Sequence, residues 1–294
     1  MASEMYQDWN PSIVSLNLVD AINLILEDYE KQGYRLTLRQ LYYQLVSRDI
    51  IANQTTEYTR IGNIVNRGRL AGLIDWDMIE DRVRVPQSRS HWSSPKEIIE
   101  AAASSYYRSR WENQRNYIEV WCEKDAVSNI IQPVCRKWDV TFMANRGYSS
   151  QSAMYEASQR LYESYVSDRF VGVIYLGDHD PSGIDMTRDI RDRLGIFLSD
   201  GHSFSNVDRL ALNMDQVLQY KPPKNPAKVT DSRFKDYEVH YGPSSWELDA
   251  LEPKVLAQLV EDKILEFVDK DRWEEIEDEE AEQQATLIKI ANEL

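Results

Sequence analysis

Apolar and polar positions follow two different periods along this chain, and the change of period divides it. In "TLRQLYYQLVSRDI" (Thr37 to Ile50), Leu38, Leu41, Tyr42, Leu45 and Val46 fall at i, i+3, i+4, i+7 and i+8, the stripe of an amphipathic helix. Thr37 followed by Gln40 is a capping-box pattern, which places the helix start there. "TTEYTRIGNIVNRGRLAGLIDW" (Thr55 to Trp76) predicts a second helix and a turn, with Ile61, Ile64 and Val65 on its core side. Residues 1–90 are thus expected to be helical, ending near "RVRVPQSRSHWSSP", whose Pro, Ser and Arg content suits a linker, and 91–115 is expected to be linker or helix. From 116 the texture changes. "YIEVWC" (Tyr117 to Cys122), "VTFMA" (Val140 to Ala144) and "VGVIYLG" (Val171 to Gly177) predict short strands, with helix-like stretches such as "SAMYEASQRLYESYV" between them. That alternation predicts an α/β unit over 116–243 with a mostly parallel sheet. Residues 244–294 are expected to return to helix, opened by a capping box of Ser244 with Glu247. Leu256, Leu259, Val260, Ile264, Phe267 and Val268 then form a core-facing stripe.

Composition narrows the class. A length of 294 residues suits two domains and a sizeable core. No window is apolar enough for a membrane helix, and the start "MASEMYQDWNPS" has neither a basic nor an apolar leader region. The expectation is a soluble cytoplasmic protein with no membrane partner. Cys122 and Cys135 are the only cysteines, and His91, His179, His202 and His240 lack ligand spacing, which argues against a disulfide framework or a zinc site. The net charge of -15 argues at first against nucleic acid. Its distribution removes that objection, because residues 247–294 hold 16 acids against 5 bases and the rest is close to neutral. The acidic stretch around "EEIEDEEAE" reads as a solvated helical face.

The candidate chemistry lies at strand ends. Asp178 and Asp180 follow the strand at 171–177, and Glu123 follows the one at 117–122. In open α/β sheets ligands bind beyond the carboxyl ends of the strands. Three carboxylates delivered there would repel one another unless a cation or proton sits among them, and a hard, oxygen-seeking Mg²⁺ suits such a set. An extended backbone through Asp-His-Asp would put both aspartates on one side and His179 on the other. The same residues also suit a plain turn. In the first helical region, Tyr42 belongs to the buried stripe, whereas Tyr43 lies off it with Arg39 four residues earlier on the same face. On the later helix, Arg60, Asn63 and Arg67 share a face suited to groove and phosphate contact.

"EKDA" (Glu123 to Ala126), "NRGYSS" (Asn145 to Ser150) and "GDHDPSG" (Gly177 to Gly183), in that order, resemble a Toprim domain. More narrowly, they resemble the A subunit of type IIB topoisomerases and its relative, the meiotic double-strand-break protein. "WELDAL" (Trp246 to Leu251) is similar to a Glu-containing motif of that family. The resemblance implies an N-terminal winged helix (1–90) carrying the nucleophile, a Toprim domain (116–243) and here a helical acidic extension (244–294). It implies Tyr43 as the residue linked to DNA at the 5′ side, assisted by Arg39, with Mg²⁺ on Glu123, Asp178 and Asp180. It further implies double-stranded DNA as substrate and a homodimer in which each tyrosine acts beside the other protomer's metal. No Walker A pattern occurs, so an ATP-driven reaction would need a separate B-type ATPase subunit. Two other readings stay open: a metal-dependent nuclease using activated water, and a non-catalytic DNA-binding protein.

Overall fold

The computed structural model describes residues 5–79, 91–145, 147–165, 167, 169–198 and 204–294. Helices α1 (Ile13–Lys31), α2 (Leu38–Ser47) and α3 (Thr55–Leu70) come first, followed by α4 (Pro95–Ser105). The central unit runs β1 (Asn116–Cys122), α5 (Ser128–Lys137), β2 (Thr141–Ala144), α6 (Gln151–Tyr165), β3 (Phe170–Leu176), α7 (Pro181–Leu198) and β4 (Val207–Ala211). Beyond it lie α8 (Met214–Tyr220), β5 (Asn225–Pro226), α9 (Phe234–Tyr241), β6 (Ser244–Ser245), α10 (Pro253–Leu265) and α11 (Lys270–Asn292). No described helix is long and apolar enough to cross a membrane.

The sheet has the order β2-β1-β3-β4 and every pairing in it is parallel. Both faces are covered, and the strands alternate accordingly. Val171, Val173 and Tyr175 of β3 pack with Met154 and Leu161 of α6 and Ile190 and Leu194 of α7. Ile174 and Leu176 pack on the opposite side with Ile130 and Ile131 of α5 and Leu256, Val260 and Ile264 of α10. The result is a three-layer α/β unit whose strand ends all open on one edge. The three expected strands are present. The fourth, β4, reads "VDRLA" and had no apolar run to announce it.

Helices α1 to α3 enclose a second core, with Leu26, Tyr29, Leu41, Leu45 and Ile61 at its centre. The capping box of α2 forms as expected: Thr37 Oγ1 accepts from the Gln40 amide, and Gln40 Oε1 accepts from the Thr37 amide at 2.8 Å. The second core also includes Ala250, from the far end of the chain, so this helical unit is seated on the α/β unit. A single parallel bridge joins Leu36 to Ile79, and the residues where a wing would follow lie outside the described ones.

One expectation needs correcting. Ser244 does not cap a helix: it lies in β6, which pairs antiparallel with β5, and α10 begins only at Pro253. Pairing with residues 225–226 overrides the local capping signal and frees Glu247 for the site described below. The segment 91–115, expected as linker or helix, contains α4, which packs along α11. The buried Glu280 of α11 receives Arg110 at 2.9 Å, while most other acids of that helix face solvent.

Candidate metal centre and tyrosine pocket

Residues 177–183 leave β3 and turn into α7. Asp178 is buried, and its Oδ1 accepts from the Leu248 amide at 2.8 Å. His179 pairs with Trp246 across an antiparallel bridge, so the backbone is extended there and the imidazole points away from Asp178. It lies against Tyr237, Tyr241 and Trp246, with Nδ1 2.8 Å from the Tyr237 hydroxyl. Asp180 turns to cap α7, its Oδ1 accepting from Ser182 Oγ at 2.9 Å and the Gly183 amide at 2.6 Å. The turn reading thus holds for Asp180 and the cluster reading for Asp178. A Cβ on Gly183 would overlap the Asp178 carbonyl oxygen, which is why the turn needs glycine at that position.

Glu123 leaves β1 beside this turn. It is buried, and its Oε2 accepts from the Asp178 amide at 2.9 Å. Burial, together with the nearby Asp178 and Asp180 charges, pushes its carboxyl up to about 7. Arg209, from β4, braces the loop from below. Its guanidinium donates to the carbonyls of Gly183 (2.7 Å), Gly177 (3.0 Å) and Asp178 (2.6 Å).

The carboxylates that converge are Asp178, Glu247 and Asp249, whose oxygens lie within 4.8 Å of one another. Of the three acids expected to share a cation, only Asp178 belongs to this set. Glu123 supports it through the backbone, and Asp180 caps the adjacent helix. Glu247 and Asp249 come from the "WELDAL" stretch, where a 3-10 turn (Leu248–Ala250) points them at Asp178. The Asp249 side chain is fully buried, yet neither of its oxygens accepts a hydrogen bond. That is costly for a carboxylate unless a cation compensates it.

Two cations of the chain reach the set. Lys124 Nζ lies 2.5 Å from Asp178 and 3.7 Å from Asp249, and it contacts Glu247. Arg39, on α2, lies 2.9 Å from Glu247 and 2.7 Å from Asp249. Burial pushes the Asp178 carboxyl up, aided by Asp249 and opposed by Lys124.

Arg39 also touches Tyr43, with its guanidinium carbon 5.7 Å from the ring centre. Tyr43, Arg39 and Asn225 line one cavity together. Arg39 and Tyr43 therefore meet as expected, but Tyr43 is not exposed. It is as buried as Tyr42, at 5% of its surface each. The helical stripe sees only the side of α2 facing α1 and α3, whereas Tyr43 is covered by residues nearly two hundred positions downstream. Burial and Asp249 raise its phenol above the ordinary value, while Arg39 and Asn225 pull it back down.

No model of a known protein family matches the chain, and no curated protein matches it either. The functional reading therefore rests on the geometry.

The remaining candidates fall elsewhere. Arg60, Asn63 and Arg67 share a polar cavity with Trp9 and Ser12, beside the start of α1, and Arg60 pairs with Glu57 at 3.0 Å. Asp185 is outside the carboxylate set; Arg188, Tyr148 and Arg233 bind it and hold it down to about 2. Cys122 and Cys135 are both buried and unbonded to each other. Sequence reasoning missed Lys124, Arg209 and Asn225, and it quoted Glu247 and Asp249 without giving either a ligand role.

The buried His179 gives a stability test. Burial, reinforced by Arg209, lowers its imidazole to about 4 from an ordinary 6.5. Above pH 6.5 neither state is protonated, so the neutral ring costs nothing. Below it the unfolded chain takes up a proton that the folded chain refuses, so stability falls as pH drops towards 4. Between pH 6.5 and 5 the expected loss is about 2 kcal/mol. Denaturant unfolding of His179→Phe should lack this component, and an unchanged pH slope in that variant would refute the assignment.

Proposed function

We propose that this chain is a metal-dependent DNA strand-cleaving transesterase with Tyr43 as nucleophile. One observation carries the reading: Arg39 contacts Tyr43 on one side and the carboxylate set on the other, so nucleophile and cation site share a residue. Asp178, Glu247 and Asp249 would hold a divalent cation. Their all-oxygen donor set suits Mg²⁺, and the buried Asp249 oxygens, ion-paired with Arg39 and Lys124 but accepting no hydrogen bond, fit such an ion. Bound there, the ion supplies charge neutralisation at a phosphate.

The chain's own residues do the rest. Arg39 offers a planar fork to the phosphate while it favours the phenolate of Tyr43. The Tyr43 oxygen gives up its proton to water and forms a bond to phosphorus, the bond to one sugar oxygen breaks, and that oxygen takes up a proton from water and leaves as a hydroxyl on the other strand end. Asn225, which lines the same cavity, would help to orient the phenol during the attack.

Burial of Tyr43 favours a second reading, a nuclease that uses water at the same carboxylates and leaves free ends. The deciding experiment is incubation of supercoiled DNA with Mg²⁺, then denaturation and a test for protein-linked ends. Cleavage without linkage would overturn the transesterase reading.

Duplex contact is assigned to Arg60 and Arg67. Reversing both charges should weaken binding across sequences and reduce the salt slope by about 2, as two phosphate contacts are lost. Anisotropy titrations over a range of salt measure it. An unchanged slope would remove this cavity from the DNA path.

A further inference from the structure

Arg39, Tyr43 and Asn225 line a cavity of about 410 Å³ whose other walls the chemistry above does not use. Its walls include Tyr42, Tyr43 and Tyr58, set edge to face: ring centres are 5.3 Å apart for Tyr42 and Tyr43, and 5.4 Å for Tyr42 and Tyr58. Asn53 locks the floor. Its Oδ1 accepts from the Tyr42 hydroxyl at 2.9 Å, and its Nδ2 donates to Asn225 Oδ1 at 2.7 Å and to the Lys224 carbonyl at 3.0 Å. By contrast, the Tyr58 hydroxyl and the Gln54 side-chain amide have no hydrogen-bond partner among the described residues, and both residues are exposed. The cavity thus has fixed aromatic walls and unused donors and acceptors at its mouth. No acid lines it.

The segment leading into it is basic. "KPPKNPAK" carries Lys221, Lys224 and Lys228, and no acid occurs between Asp215 and Asp231. All three lysines are exposed, and none forms an ion pair among the described residues. Asn225 and Pro226, from the middle of this segment, are part of the cavity lining. In a chain of net charge -15, an unpaired basic strap against an aromatic pocket is a local reversal of character.

We propose that the cavity holds one unstacked nucleobase of a DNA strand whose backbone runs along Lys221, Lys224 and Lys228. Aromatic walls bind any base through its π-face, and a cationic track binds the phosphates, which is how single strands are held without sequence readout. Placing a base beside Tyr43 fixes the neighbouring phosphate against Arg39. The substrate class is then DNA with an unpaired or extruded nucleotide at the cut, since extrusion costs least where pairing is already lost. This rests on the proposed transesterase for the meaning of the site, but its binding step stands apart from cleavage.

The experiment is a binding cycle on the full chain in EDTA, with two single-stranded probes: a short fluorescent oligothymidylate and the same oligomer built wholly of abasic sites. Tyr58→Ala should weaken the oligothymidylate by about 5- to 160-fold, the range of one stacked base. It should leave the abasic probe unaffected. Gln54→Ala repeats the test at a solvent-exposed position whose side chain makes no capping bond, so folding is not at stake. It should show a smaller loss, again only on the probe with bases. Equal losses on both probes, or none on either, for both variants would overturn the proposal. If the cycle holds but wild type forms no protein-linked DNA, the transesterase fails and the pocket stands. If linkage forms without the cycle, the pocket fails and the transesterase stands.

Discussion

Tyr43→Phe is expected to abolish every protein-linked DNA end while costing only about 1 kcal/mol of stability. The ring stays in its buried place, and the loss is confined to a hydroxyl in the cavity shared with Arg39 and Asn225. Tyr42→Phe is the matched control. It removes donation to Asn53 Oδ1 at 2.9 Å and to the Gln54 carbonyl at 3.2 Å, so it should cost about 1–2 kcal/mol, at least as much stability. Its adduct should survive. The two substitutions are the same chemical change at adjacent, equally buried positions, so a difference in linkage cannot come from folding. Denaturing electrophoresis of end-labelled DNA, with and without protease, reads the linkage, and chemical unfolding reads the stability. Full cleavage by Tyr43→Phe would leave the water-using nuclease standing. Loss of linkage in both variants would mean that the pocket's integrity, not one hydroxyl, limits the reaction.

What the sequence made legible was whatever is local. β1, β2 and β3 are short apolar runs bounded by turn residues, and each formed where its pattern placed it. The capping box of α2 is a three-residue signal and formed as well. Ser244 with Glu247 carried the same signal and failed, because strand pairing with β5 satisfies that backbone instead. β4 escaped notice because Asp208 and Arg209 interrupt it. Arg209 is there to brace the Asp178 turn, which no local pattern expresses.

The site divides along the same line. Asp178, Glu123, Tyr43 and Arg39 were all recognisable from motifs, and the structure brings them into one neighbourhood. The partition of roles among the acids was not. Which carboxylates converge depends on how the turn at 248–250 docks under α2, a contact between segments about two hundred residues apart. The burial of Tyr43 has the same origin.

Lys124→Ala is expected to make the fold strongly dependent on divalent cation. In wild type the Lys124 ammonium lies among Asp178, Glu247 and Asp249, largely sheltered from solvent, and together with Arg39 it compensates their charge. Removing one partner of such a buried cluster costs about 3–5 kcal/mol, because the remaining carboxylates keep their desolvation without their counter-charge. In EDTA the variant should therefore melt well below wild type. A divalent cation held by the same carboxylates would supply the missing counter-charge, so Mg²⁺ at about a hundred times its dissociation constant should return about 2.7 kcal/mol. Wild type should show a smaller gain, since the ion must first displace the lysine. Asp249→Asn should show none, having lost the one fully buried carboxylate whose oxygens accept no hydrogen bond. Thermal melts of the three proteins in EDTA, Mg²⁺ and Ca²⁺ measure all of this. Equal Mg²⁺ shifts in all three would place the cation elsewhere and reduce the carboxylate set to a structural ion-pair cluster centred on Lys124.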